Sequence, residues 1–198
     1  MCTSVERVYV HEAVAEPFLE ALADRARNLR AGPGADVSTE LGPLVDERHR
    51  TRVHQQVEKA LADGARALTG ARIPAGPGSF YPATVLAGCT DHMEVMAEET
   101  FGPVAPVRTV ASFEQALDAA RRSRYGLAAT VLTRDMAHAQ AAWRALNAGT
   151  VKINAVFGGA PGGAATPRRA SGRGFGYGPE LLDEMTAVKV VHLQTVVP

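Results

Sequence analysis

Cys2 stands alone at the start of this 198-residue chain, followed five positions later by Arg7 and then by the apolar run Val8-Tyr9-Val10. A thiolate is strongly nucleophilic and thioesters hydrolyse readily, so a cysteine just ahead of a strand is a candidate for covalent acyl chemistry. Removal of Met1 would give Cys2 a free α-amine titrating near about pH 8, able to act as its own base. The second cysteine, Cys89, reads as a small buried core residue. Glu98-Glu99-Thr100-Phe101-Gly102-Pro103-Val104 sets carboxylates beside an aromatic ring and a Gly-Pro turn. By residue type alone Glu99 could be a loop charge and Phe101 a core ring. Arg168, Arg169 and Arg173 read as solvated loop charges, with a phosphate or a substrate carboxylate as the alternative partner. His49 and His54 are five apart, off a common helical face, and the six histidines form no ligand set, so no metal is expected. The glycines at 172, 174, 176 and 178 make no Gly-x-Gly-x-x-Gly fingerprint, because 177 is Tyr and 179 is Pro, and they do not sit between a strand and a long helix.

The elements that must position these groups follow from hydrophobic period and punctuation. Val5–His11 is β-branched and aromatic and predicts a strand. Val14, Phe18, Leu19, Leu22 and Ala26 recur at helical spacing and predict a helix over Glu12–Arg30, stopped by Ala31-Gly32-Pro33-Gly34. A second turn falls at Leu41-Gly42-Pro43-Leu44. An amphipathic helix fits Asp46–Gly64, with acidic residues at its positive end. Its Arg48, His49, Arg50 and Arg52 read as a solvated face. Strands are expected at Ala65–Ala71, Phe80–Ala87, Val107–Val110, Tyr125–Thr133 and Gly149–Asn154, with helices started by the caps Ser112 and Asp135. Strands alternating with helices predict an α/β fold, a three-layer domain with a largely parallel sheet. Residues 158–165, rich in glycine and alanine, read as a loop. Lys189–Val197 is β-forming with few charges and predicts a C-terminal β arm whose backbone groups need a partner, which favours an oligomer, with folding back onto its own domain as the alternative.

Composition narrows the function classes. The 46% hydrophobic and 21% charged residues are those of an ordinary globular chain, long enough for a real core. A formal net charge of zero gives no broad electrostatic case for nucleic acid or an anionic membrane. No apolar run is long enough to span a bilayer, the start does not read as a signal peptide, and two cysteines make no disulfide framework. The expected setting is cytoplasmic.

Four blocks, in order, carry a resemblance. They are Cys2 to Val10; Gly42-Pro43-Leu44; Glu98-Glu99-Thr100-Phe101-Gly102-Pro103-Val104; and the series Tyr125-Gly126-Leu127-Ala128-Ala129, Gly149-Thr150-Val151-Lys152-Ile153-Asn154, Ser171-Gly172. Together they resemble the aldehyde dehydrogenase superfamily. The likeness covers its catalytic domain, expected here over residues 1–186, and its C-terminal oligomerisation strand, expected over 187–198. In that family the nucleophile sits in a Gly-Gln-x-Cys motif, of which Met1 and Cys2 match the last two positions. The family's dinucleotide-binding domain, general-base glutamate and oxyanion-hole asparagine lie upstream of that motif. The chain departs from the family where many members carry Pro-Phe-Gly-Gly-x-Lys-x-Ser-Gly; here stand Pro161-Gly162-Gly163 and then Pro167-Arg168-Arg169-Ala170-Ser171-Gly172. Arg121-Arg122 also stands where many have an asparagine-containing pair.

The resemblance implies Cys2 as the nucleophile toward an aldehyde and NAD or NADP as hydride acceptor. It implies that Glu99 holds the nicotinamide ribose hydroxyls and that Phe101 packs near the nicotinamide ring. Thr3, Asn154 and Phe157 would lie near the substrate. A homo-oligomer through the C-terminal strand is expected. Two other readings stand beside the dehydrogenase. One is a cysteine-dependent esterase, thioesterase or acyl transferase that uses no dinucleotide. The other is a non-catalytic or repurposed domain, acting through oligomerisation or with a separate cofactor-binding chain.

Overall fold

A computed structural model describes residues 4–155 and 166–194. It divides into two compact units, Met1–Ala120 and Arg121–Pro198.

The first unit is built on a four-stranded sheet of order β1-β4-β3-β2, with β1 at Val8–His11, β2 at Arg66–Thr69, β3 at Thr84–Ala87 and β4 at Val104–Val110. β4 runs parallel to both neighbours, and only the edge strand β2 is antiparallel. Val107–Val110 was the expected extent of β4. It begins three residues earlier because Val104, Ala105 and Pro106 pair with Thr84, Val85 and Leu86, while Val107–Val110 pair with β1.

Side chains alternate between the two faces of the sheet. Val10, Val85 and Val107 face helix α1 (Glu12–Arg27), meeting Ala15, Phe18, Leu19, Leu22 and Ala26. Tyr9, Leu86 and Val104 face the other way, against Val53, Val57 and Ala60 of α2 (Glu47–Ala62) and Val95 and Met96 of α3 (Glu94–Ala97). Helices on both faces of a mostly parallel sheet make the expected three-layer α/β arrangement in this unit. Asp46 caps α2, its carboxylate accepting from the His49 amide at 2.6 Å. Helix α1 stops at Arg27 rather than Arg30. The Arg30 carbonyl is drawn into a turn, accepting from the Glu40 and Leu41 amides at 2.9 and 3.1 Å. The last helix here, α4 (Phe113–Arg122), starts as a reciprocal box: Gln115 N–H donates to Ser112 Oγ at 3.1 Å, and Ala111 N–H donates to Gln115 Oε1 at 2.8 Å.

In the second unit the expected strand Tyr125–Thr133 is two strands. β5 (Tyr125–Gly126) pairs antiparallel with β8 (Arg168–Arg169), whereas β6 (Ala128–Val131) pairs parallel with β7 (Thr150–Ile153). The partner changes at Leu127, so one apolar run serves two ladders. α5 (Met136–Ala145) is capped by Asp135, which accepts from the Ala137 amide at 2.7 Å. α6 covers Pro179–Glu184. Gly149 sits where a Cβ would meet the Thr166 carbonyl oxygen at 2.0 Å, so only glycine permits that close backbone approach. The Arg168 guanidinium donates to Asn147 Oδ1 at 3.1 Å and that of Arg169 to the Arg121 carbonyl at 2.8 Å, so both, expected as solvated loop charges, tie the β5–β8 pair to its surroundings. Within 187–194 no residue joins a ladder among the described residues, and Val188, Val190, Val191 and Leu193 are exposed. No helix among the described residues is long and apolar enough to cross a membrane.

Burial makes the first unit sensitive to alkali. Tyr81 is buried; desolvation first, and the negative charge of Glu58 second, push its hydroxyl from the usual 10.0 to about 12. Burial likewise pushes the Cys89 thiol from 9.0 to about 11, a hydrogen bond from the Val107 backbone opposing it. Both folded values are raised, so both contributions are complete below the unfolded value and lost as pH climbs to the folded one. The window opens at pH 9.0 with Cys89 and closes near 12 with Tyr81. The urea midpoint is expected to fall through that window, and the double variant Tyr81→Phe, Cys89→Ala is expected to flatten the fall. An equally steep fall in the double variant would show that other groups control it.

Candidate active site

The loop after α3 carries the expected cofactor residues, and the backbone there is unusual. Phe101 has φ 51°, in the left-handed region that bulky residues avoid at a cost of about 1–2 kcal/mol. The residue is 46% exposed. Gly102 follows, where a Cβ would lie 2.9 Å from both methyls of Val53, so the loop can pass over α2 only with glycine there. The Glu99 side chain is half-buried and makes no hydrogen bond or ion pair among the described residues. A carboxylate with its acceptors unspent, two residues from a presented aromatic face, fits a vicinal diol beside a planar ring.

Four backbone groups fix this loop, all held by side chains distant in sequence. The Glu6 carboxylate accepts from the Thr100 amide at 2.9 Å through Oε2 and from the Phe101 amide at 3.2 Å through Oε1. Arg7 Nη2 donates to the Glu98 carbonyl at 3.1 Å. The Phe101 carbonyl lies 2.9 Å from His49 Nε2; a carbonyl only accepts, so His49 carries its proton on Nε2. His49 therefore does not belong to a solvated face as expected. Nor does Arg50, whose side chain is only 12% exposed and donates to the Gly78 carbonyl at 2.6 Å. Helical spacing alone gives no signal of either contact.

Beneath the loop, His54 Nδ1 lies 3.0 Å from the Tyr81 hydroxyl, and His54 Nε2 lies 3.6 Å from Glu58. With Nε2–H turned to the carboxylate, Nδ1 accepts from Tyr81, which keeps its proton at ordinary pH. The group is a packing device in the α2 core.

Asn154 is in the second unit. It too is left-handed, φ 54°, a conformation asparagine tolerates. Its side chain reads the Thr133 backbone from both sides, Oδ1 accepting from the amide and Nδ2 donating to the carbonyl, each at 2.8 Å. The end of β7 is thereby tied to the turn before α5. Cys2, Thr3 and Phe157 lie outside the described residues.

The sequence profile of the aldehyde dehydrogenase family matches residues 1–191. The chain belongs to that family. It is 35% identical over 202 residues to betaine aldehyde dehydrogenase of Bacillus subtilis, with 98% of this chain and 41% of that protein covered. Among solved structures it resembles lactaldehyde dehydrogenase of Escherichia coli, with TM-score 0.90 and 34% identity over 98% of this chain and 41% of that one. It also resembles betaine aldehyde dehydrogenase of Staphylococcus aureus in complex with NAD+, with TM-score 0.84 and 32% identity over 90% of this chain and 36% of that one. The chain thus spans about two-fifths of the length of the aldehyde dehydrogenases it matches. Its mixed α/β architecture and largely parallel sheet are those of the family's structures.

Proposed function

We propose that this chain is the catalytic part of an NAD(P)-dependent aldehyde dehydrogenase, with Cys2 as nucleophile and the Glu99–Phe101 loop as its contribution to the cofactor site. The observation that carries the reading is that loop: an uncommitted carboxylate and an exposed aromatic residue on a backbone held by four hydrogen bonds from three side chains. The Cys2 thiolate adds to the aldehyde carbonyl carbon, giving a hemithioacetal oxyanion. Collapse of that oxyanion expels hydride and leaves a Cys2 thioester, and water then releases the acid and restores the thiol. NAD(P)+, when bound, would supply the hydride acceptor. Glu99 would accept from its ribose hydroxyls and Phe101 would pack beside its nicotinamide; by family resemblance Thr3, Asn154 and Phe157 are the substrate-proximal candidates. The exposed Val188, Val190, Val191 and Leu193 support pairing with a second copy, since a β-forming segment outside any ladder among the described residues offers its backbone groups to another chain.

The test joins this chain to the cofactor-binding segment of a full-length relative and follows NAD(P)H formation over a panel of aldehydes. Aldehyde-dependent reduction, abolished by blocking Cys2 with an alkylating reagent, is expected. A folded joined protein that binds NAD(P)+ but reduces none with any aldehyde would overturn the reading. Ester hydrolysis persisting in that protein would instead favour a cofactor-independent acyl activity.

A further inference from the structure

We propose that Glu6 is a positioning residue that sets the shape of the cofactor loop and links it to the segment bearing the nucleophile. The proposal rests on the reading of Glu99 and Phe101 as cofactor contacts. One carboxylate spans two consecutive amides, those of Thr100 and Phe101, at 2.9 and 3.2 Å across 94 and 95 residues of sequence. Two adjacent amides pointing at one anion require the chain between them to turn sharply, and Phe101 takes that turn in the left-handed region. Without the anion, two donors beside a buried Thr100 would lose their acceptor, and the strained residue would be free to relax toward an extended backbone. Relaxation of φ at Phe101 swings its ring and displaces Glu99, two residues back. The neighbouring Arg7 holds the Glu98 carbonyl, so the segment 6–7 fastens both ends of the loop. Glu6 is four residues beyond Cys2, at most about 14 Å along the chain. One short stretch therefore carries the proposed nucleophile and shapes the surface that holds the hydride acceptor.

The test has two arms. In the chain as it stands, amide hydrogen exchange is measured at Thr100 and Phe101. Glu6→Ala is expected to speed both by roughly tenfold or more, as loss of a charge-assisted bond implies, while the Val107 amide in β4 is unchanged. Glu6→Gln keeps one acceptor oxygen and is expected to keep one of the two amides slow. Unchanged exchange in both variants overturns the proposal, whatever the activity. In the joined enzyme, Glu6→Ala is expected to raise KM for NAD(P)+ roughly tenfold with KM for aldehyde and Cys2 acylation held, and Glu6→Gln to restore part of the loss. Equal loss in all three parameters, or none, overturns the link to the cofactor. If the joined enzyme reduces no NAD(P)+ at all, the functional reading fails on its own, and the exchange arm still decides whether Glu6 shapes the loop.

Discussion

Cys2→Ala is expected to abolish covalent capture of acyl groups by this chain and to lower aldehyde oxidation in the joined enzyme by at least about a thousandfold, the scale on which loss of a nucleophile is felt. The expectation is sharp because the chain contains one competing thiol and its chemistry is suppressed. Cys89 is 3% exposed, and its thiol is pushed up to about 11. At pH 8 Cys89 therefore holds far less thiolate than a cysteine at the ordinary value of 9.0. Alkylation or acylation by an activated ester, read by intact mass, therefore reports on Cys2. One adduct is expected in the parent and in Cys89→Ala, and none in Cys2→Ala. An adduct that survives Cys2→Ala would refute Cys2 as the nucleophile; the absence of any adduct in the parent would favour a non-catalytic domain.

The burial of Cys89 was legible in the sequence, as were the elements with strong local signals. Asp46, Ser112 and Asp135 start their helices as their types require, because capping is decided within four residues. The family likeness was legible for a related reason: motifs such as Glu98–Val104 are contiguous. Decisions made across the fold were not. Tyr125–Thr133 has one unbroken apolar pattern, yet its two ends pair with segments some 22 and 43 residues away, at Thr150–Ile153 and Arg168–Arg169. Nothing local marks Leu127 as the point of exchange. Glu6 and His49 look like ordinary surface residues on a strand edge and a polar helix face; their partners are 94 and 52 residues distant. The candidate site was thus readable as a set of residue types, while what holds it in shape was visible only in three dimensions.

The scaffold beneath that site should be correspondingly intolerant. Leu86→Ala is expected to cost about 3–4 kcal/mol, within the range for large-to-small changes at sites that cannot collapse. Leu86 is wholly buried, and all four residues of β3 are buried as well. Its strand is flanked on both sides, paired to Ala67 of β2 and Pro106 of β4, so the backbone cannot move inward to fill a void. On the α2 face the side chain belongs to the same cluster as Val53, Val57, Tyr81 and Met96, of which Val53 and Val57 are branched and rotamerically stiff. For a chain of this length each kcal/mol moves the melting point by about 2–4 °C, so a drop near 10 °C is expected. Because the chain has two compact units, the calorimetric transition to follow is the one that also releases Tyr81 to titrate at its ordinary value. Leu132→Ala, at a residue 68% exposed, serves as the control and is expected to shift stability by no more than about 0.5 kcal/mol. A Leu86 variant that melted with the control would mean that the α2 layer can close over the vacancy. The Phe101 loop, which passes over Val53 at Gly102, would then rest on a yielding support, and its clamped geometry would have to come from Glu6, Arg7 and His49 alone.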